Sequence, residues 1–201
     1  MKRIGIFGGT FDPVHIGHTS LADDAMKQAG LEKVIFVPAK FQPFKLNRKI
    51  TSEKDRAEML KLAVMDNNRF EVSEYELNSE NVSYTYLTMR AMKELYGQEA
   101  ELFFITGTDS FIKIETWKNS EELLRGYSYI IGTRPGYRED ELIICMKHLA
   151  GKYGTDIVNI SNIQHDISST EIRNQIKAGH DVSKFLHGSV ERYIKKNGLY
   201  K

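Results

Sequence analysis

The chain has 201 residues, and its 28 Lys and Arg against 27 Asp and Glu leave a formal charge of +1 at pH 7. At roughly 150 residues per domain this is room for one large domain, and 41% hydrophobic residues with only four prolines exclude a disordered or low-complexity chain. The balanced charge excludes the broad basic face that binding a nucleic acid by counterion release requires, so any anion is expected to be held by a few placed groups.

In chain order, residues 3–7 read as a first strand, followed by Gly8-Gly9 and an amphipathic stretch carrying Leu21, Ala22, Ala25, Met26 and Ala29 that Gly30 is placed to stop. Lys33–Pro38 reads as a second strand, and after a long polar loop Ser52, with Glu53 and Asp55, marks a helix whose inner face is Ala57, Leu60, Ala63 and Val64. Residues 69–77 alternate as a third strand through Phe70, Val72, Tyr75 and Leu77, and Ser83 is placed to cap a helix running to Gly97. Residues 102–106 and 129–132 are apolar on both faces, as buried parallel strands are. Residues 139–149 read as a helix, 156–160 as a last strand, and 170–178 and 183–196 as closing helices. This alternation implies right-handed crossovers and a Rossmann-like, doubly wound parallel α/β sheet with helices on both faces and C-terminal helices, with residues 1–201 as a single domain.

Other classes fall away on simple counts. The lone Cys145 excludes an intramolecular disulfide and a thiolate zinc cluster. No run approaches the roughly 18 apolar residues of a membrane helix, and Gly8 and Gly9 end the N-terminal apolar run well short of a secretory signal. The expectation is a soluble cytoplasmic protein with neither membrane nor nucleic-acid partner.

In a doubly wound sheet ligands sit beyond the carboxyl ends of the strands, so the loops after strands carry the chemistry. After the first strand comes Gly8-Gly9-Thr10-Phe11-Asp12-Pro13-Val14-His15-Ile16-Gly17-His18, where two glycines allow close backbone approach and a helix N-terminus faces an anion. His15 and His18, three apart on the first helical turn, are expected to project to one side as donors to phosphate oxygens. The plain alternative is a glycine turn with a core histidine; a zinc site lacks a carboxylate or third histidine at helical metal-binding spacing. Neither G-x-G-x-x-G after the first strand nor G-x-x-x-x-G-K-[ST] occurs, which disfavours a dehydrogenase and a P-loop phosphotransferase.

Ser168-x-x-Glu171 reads as a capping box whose helix start, with the Thr170 hydroxyl and Arg173 guanidinium, suits a polyphosphate, although a cap without a ligand reads equally well from this stretch alone. Residues 38–52 include Lys40, Lys45, Arg48 and Lys49 and no acid. In the turns after two later strands, Asp109 can accept hydrogen bonds from a ribose and Arg134 can stack on or neutralise a nucleotide; each is otherwise an ordinary polar turn. Trp117, on a polar stretch, offers a ring face or anchors the core.

Gly8 to His18, with its literal His15-Ile16-Gly17-His18, resembles the signature of the HIGH-type nucleotidyltransferase superfamily, and Ile167-Ser168-Ser169-Thr170-Glu171-Ile172-Arg173 resembles that superfamily's second motif. Over essentially its whole length the chain is most similar to the bacterial nicotinate-mononucleotide adenylyltransferases. The resemblance implies an enzyme joining ATP and nicotinate mononucleotide into nicotinate adenine dinucleotide and pyrophosphate, with Mg²⁺ bound mainly through the ATP phosphates. It implies His15, His18, Lys45 and Arg173 as catalytic. It places Gly8, Gly9, Thr10, Phe11, His15, His18, Gly107, Asp109, Ile131, Arg134, Ser168, Thr170 and Arg173 around ATP. Gly9, Lys45, Ser83, Tyr84, Thr85 and Trp117 fall to the acceptor nucleotide, with Trp117 as the platform for its ring. Where the family carries Pro-His-Lys, this chain has Pro43-Phe44-Lys45, which removes one donor and leaves Lys45. A pantetheine-phosphate adenylyltransferase would be shorter and would not need Trp117; a class I aminoacyl-tRNA synthetase would need a basic face and an anticodon-binding region. A preference for the nicotinamide nucleotide, and assembly as a homo-oligomer, stay open at this point.

Overall fold

In the computed structural model, which describes residues 1–40, 50–80, 82–97, 99–133, 138–161 and 167–201, the apolar runs pair as strands of one sheet. These are β1 (Lys2–Gly9), β2 (Lys33–Pro38), β3 (Phe70–Val72), β4 (Ala100–Gly107), β5 (Ser128–Thr133) and β6 (Ile157–Ser161). Their order is β3-β2-β1-β4-β5-β6, and every neighbouring pair is parallel. Parallel neighbours need crossovers, and helices between the strands supply them: α1 (Ile16–Ala29), α2 (Glu53–Val64), α3 (Tyr75–Asn78), α4 (Thr85–Tyr96), α5 (Thr108–Phe111), α6 (Ser120–Gly126) and α7 (Glu139–Tyr153), while α8 (Ser169–Lys177) and α9 (Gly188–Asn197) follow the last strand. None of them is long and apolar enough to cross a membrane.

Alternation along the strands feeds two cores. Phe103 and Ile105 of β4 join Met26, Leu60 and Val190 on one face, while Leu102 and Phe104 join Ile6, Met89 and Leu149 on the other. The order reverses between β1 and β4, which lie side by side, so the crevice beyond Gly8-Gly9 and Thr106-Gly107 is the switch point.

Most element boundaries follow local chemistry. Gly30 ends α1 in the left-handed conformation at φ 63, and the Ser52 hydroxyl accepts from the Asp55 N–H at 3.1 Å to start α2. Three expectations fail. The third strand stops at Val72, because the apolar alternation slips phase between Val72 and Tyr75; residues 75–78 coil into α3 and turn Glu76 and Leu77 inward together. Ser83 does not cap α4; its hydroxyl accepts from the Lys40 N–H at 3.0 Å, and Tyr84 is the cap residue. The closing helix over 183–196 is split into a 3₁₀ turn, Ser183–Phe185, and α9, with His187 between them hydrogen-bonded through Nε2 to the Thr19 hydroxyl at 2.9 Å.

Two polar anchors fix the loops around the switch point. Arg56 of α2 is 1% exposed. It donates from Nη1 to the carbonyls of Thr10 (2.8 Å) and Ala39 (2.7 Å) and from Nε to that of Thr51 (3.1 Å), tying the ends of β1 and β2 to the approach to α2. Burial lowers its pKa, and the nearby Asp12 carboxylate opposes that shift. On the other side, a 3₁₀ turn, Ile114–Thr116, precedes Trp117. Glu115 in that turn accepts from Lys152 Nζ (2.9 Å) and the Tyr153 hydroxyl (2.8 Å) at the end of α7, with His148 Nε2 at 3.2 Å.

Replacing Arg56 by Met leaves the carbonyls of Thr10, Ala39 and Thr51 without this donor, and urea unfolding is expected to show a loss of about 3 kcal/mol. An unchanged midpoint would contradict the anchor. The hydrogen bonds from Lys152 and then Tyr153 pull the Glu115 carboxyl down to about 2. With the folded pKa depressed below the ordinary value of about 4.3, the stabilisation is complete above that pH and is lost as pH falls toward about 2. Thermal midpoints of the wild type and Glu115→Gln should therefore differ at neutral pH and converge at the acid end; parallel curves would contradict the assignment.

Candidate active site

β1 delivers Gly8 and Gly9 to the switch point, paired with Val37 and Pro38 of β2. A Cβ on Gly9 would lie 2.8 Å from the ring of Phe11. Phe11 itself sits at φ 49, a left-handed conformation costly for a bulky residue. Its ring is 2% exposed and packs edge-on against Phe7, Phe36 and His18, at centroid distances of 5.6, 5.8 and 5.0 Å. The aromatic packing holds the loop in a shape its backbone would not choose.

His15 and His18 were expected together on the first helical turn. The structure places only His18 there. His15 is the N-cap of α1 with extended backbone (φ −142, ψ 170), and its carbonyl accepts from the His18 N–H at 2.9 Å. The rings nevertheless lie together, 3.8 Å between centroids. Gly17 makes room for this, since a Cβ there would approach His15 Nδ1 to 3.0 Å. The His15 N–H donates to Nδ1 of His18 at 3.2 Å, so in the neutral ring of His18 the proton resides on Nε2, which is then the donor.

The second motif docks on the first. The Ser168 hydroxyl caps α8 by accepting from the Glu171 N–H at 3.1 Å. The Ser169 hydroxyl donates to the Pro13 carbonyl at 3.0 Å, and Arg173 Nη1 donates to the Asp12 carbonyl at 2.6 Å while Nη2 donates to the Thr170 hydroxyl at 3.1 Å. The Asp12 carboxylate, 4% exposed, accepts from the Tyr200 hydroxyl (2.7 Å) and the Thr51 N–H (3.3 Å). Thus the positive ends of α1 and α8, His18 and Arg173 are tied into one arrangement by part-buried hydrogen bonds.

Beside these two motifs opens a cleft of about 480 Å³. Gly8 and Gly9 belong to its lining; Ser83, Tyr84 and Thr85 at the start of α4 contribute another part, and Trp117, with Lys113 and Lys118, a further one. Trp117 is half-buried and meets Phe104 edge-on at 5.9 Å, which steadies the indole. Asp109 also lines the cleft, and Arg138 Nη1 donates to it at 3.0 Å.

Of the expected site residues, Gly8, Gly9, Ser83, Tyr84, Thr85, Asp109 and Trp117 share the cleft, and His15, His18, Thr170 and Arg173 belong to the neighbouring motifs. Gly107, expected as part of a polar turn, caps the one-turn helix α5. The side chains of Phe11 and Ile131, expected beside ATP, are instead packed in the core, which leaves their backbone as what they can present. Lys45, Phe44 and Arg134 lie outside the described residues. Sequence reasoning missed Asp12, Arg56, Glu76, Arg138 and Tyr200; Asp12, Arg56 and Tyr200 act chiefly through partners distant in sequence, and the partners of Glu76 and Arg138 lie on other elements or across a turn, so none leaves a periodic pattern. The assembled site offers directed hydrogen-bond donors at a strand-end crevice and, alongside, a cleft lined by aromatic rings, Lys113 and Lys118, and the Glu76 and Asp109 side chains. It can hold a phosphorylated ligand bearing a planar ring.

Comparison with known proteins agrees with this geometry. Residues 6–175 match the cytidylyltransferase-like family model. A probable nicotinate-nucleotide adenylyltransferase of Thermoanaerobacter sp. (strain X514) is 41% identical over 99% of this chain and 94% of its own length. Another so named, from Desulfitobacterium hafniense (strain Y51), is 42% identical over 100% and 96%. The solved Plasmodium falciparum nicotinic acid mononucleotide adenylyltransferase complexed with NaAD shares the fold, with a TM-score of 0.80 at 22% identity over 100% of this chain and 98% of that one. With a family model matched over most of its length and full-length relatives at this identity, the chain belongs to the cytidylyltransferase-like family, among its nicotinate-nucleotide adenylyltransferases.

Proposed function

We propose that residues 1–201, acting as one domain in the cytoplasm, transfer the adenylyl group of ATP to nicotinate mononucleotide, giving nicotinate adenine dinucleotide and pyrophosphate. The observation that carries this reading is the docking of α8 onto the loop before α1 beside a cleft with Trp117 in its lining. A phosphate oxygen of the acceptor attacks the α-phosphorus of ATP; the new P–O bond forms as the bond between the α- and β-phosphates breaks, and the electron pair leaves on pyrophosphate. No side-chain nucleophile takes part. His18, donating from Nε2, and Arg173, held by Asp12, stabilise charge on the transferred phosphoryl and the leaving group, and His15 holds the His18 ring. Lys45 is assigned to the same charge.

ATP occupies the crevice at Gly8, Gly9, Thr10, Gly107, Asp109, Ser168 and Thr170, with Arg134 completing it. The acceptor ring lies on Trp117, and its carboxylate faces the start of α4, where the helix dipole favours the acid over the amide. Among the described residues no three His, Cys, Asp or Glu side chains are grouped to hold a metal ion. The polyphosphate itself, with water, is the donor set that suits Mg²⁺, which when bound neutralises phosphate charge.

Incubation with ATP and either nicotinate or nicotinamide mononucleotide, followed by mass analysis, is expected to yield nicotinate adenine dinucleotide with one pyrophosphate released per product, and far less of the amide dinucleotide. Absence of an adenylylated mononucleotide would contradict the reading. His18→Ala is expected to lower kcat by roughly 10²–10³, the scale for losing one transition-state donor; an unchanged kcat in the folded variant would remove His18 from the mechanism.

A further inference from the structure

A buried carboxylate stands in the wall of the acceptor cleft, and the steps above make no use of it. Glu76, in the first turn of α3, is 7% exposed and lines the same cleft as Ser83, Tyr84 and Trp117. Its Oε1 accepts from the Thr88 hydroxyl at 2.5 Å, and it also accepts from the Ser83 hydroxyl. The Ser83 oxygen in turn accepts from the Lys40 N–H at 3.0 Å, and Lys40 Nζ donates to the Ser79 carbonyl at 2.9 Å. Thr88 lies one turn inside α4, and Ser83 immediately precedes its N-cap Tyr84. One carboxylate thus grips both sides of the first turn of α4 and, through Ser83, the point where the chain leaves β2 and the acid-free basic stretch begins.

Burial pushes the Glu76 carboxyl above the ordinary range, and the Ser83 and Thr88 hydroxyls, with the Arg56 charge, oppose that push. A carboxylate is retained in such a setting only when its oxygens are satisfied, and it then holds its donors in fixed directions.

We propose that Glu76 is a positioning residue for the acceptor nucleotide, holding the start of α4 in the orientation that, with Trp117, forms the subsite for the acidic ring. The inference rests on the reading of this cleft as the acceptor site. Glu76 touches neither ATP nor the reacting atoms; it acts through Ser83 and Thr88, so its loss weakens acceptor binding and spares the chemical step.

The test is steady-state pyrophosphate release by the wild type, Glu76→Gln and Thr88→Val, with ATP and nicotinate mononucleotide each varied while the other is saturating. Glu76→Gln, close in shape but without the charge and with one acceptor oxygen replaced by a donating NH2, should raise KM for the acceptor about tenfold, the scale for a hydrogen bond to a charged group. KM for ATP and kcat should stay within about twofold. Thr88→Val should show the same selective rise, smaller in size, and carries the test if Glu76→Gln does not fold. An unchanged acceptor KM in a folded variant overturns the inference, as does an equal rise in both KM values. A wild type that forms no nicotinate adenine dinucleotide overturns the functional reading itself, whereas normal wild-type turnover with unshifted variants overturns only the role of Glu76.

Discussion

Two charged side chains held out of water, Asp12 and Arg56, set the geometry on which the rest of the site depends. The loop after β1 contains a bulky residue, Phe11, in a left-handed conformation, and its carbonyls need donors. Arg56 supplies one to Thr10 and reaches across to Ala39 and Thr51. Asp12 receives the Tyr200 hydroxyl on its side chain and Arg173 on its backbone carbonyl. Burying either charge alone would be strongly unfavourable, so each is tolerated only with its full set of partners, and that requirement makes the arrangement stiff. The two docked motifs, more than 150 residues apart in sequence, are thereby held at one spacing.

Stiffness is what such a site needs. Transfer between two bound nucleotides requires no nucleophile from the protein, and rate then comes from orientation and from donors already aimed at developing charge. The near-neutral chain meets this with a local concentration of donors: the positive ends of α1 and α8, two histidines with tilted rings in contact, Arg173, and Lys113 and Lys118 lining the cleft. A formal charge of +1 over the whole chain is compatible with an anion-binding crevice because the acids beside it are engaged, Asp109 by Arg138, Asp12 by Tyr200 and the Thr51 N–H, and Glu76 by Thr88.

The sheet was legible in the sequence because buried parallel strands are apolar on both faces, and 102–106 and 129–132 announce themselves that way. Gly30 and Ser52 gave correct helix ends because caps are local. The His15 to His18 and Ser168 to Arg173 motifs were legible for the same reason, each being a turn and a helix start within a dozen residues. What was not legible is long-range. Glu76 reads as one more polar position in an alternating run, Arg56 as an ordinary helix residue, and Tyr200 as part of a tail, until the fold brings each to a partner. The three-residue spacing of His15 and His18 correctly put the two rings on one side, but it also fits an N-cap, and His15 with its extended backbone is that cap and not a residue of the first turn.

The central claim is that the docked motifs hold the phosphates while the cleft beside them holds the acceptor ring. A structure of the chain crystallised with nicotinate adenine dinucleotide tests it most directly. The account predicts the bridging phosphates within hydrogen-bond distance of His18 Nε2 and the Arg173 guanidinium, with the nicotinate ring on Trp117 and its carboxylate at the start of α4. A dinucleotide bound away from the ends of β1 and β4, or reversed so that adenine rests on Trp117, would contradict it.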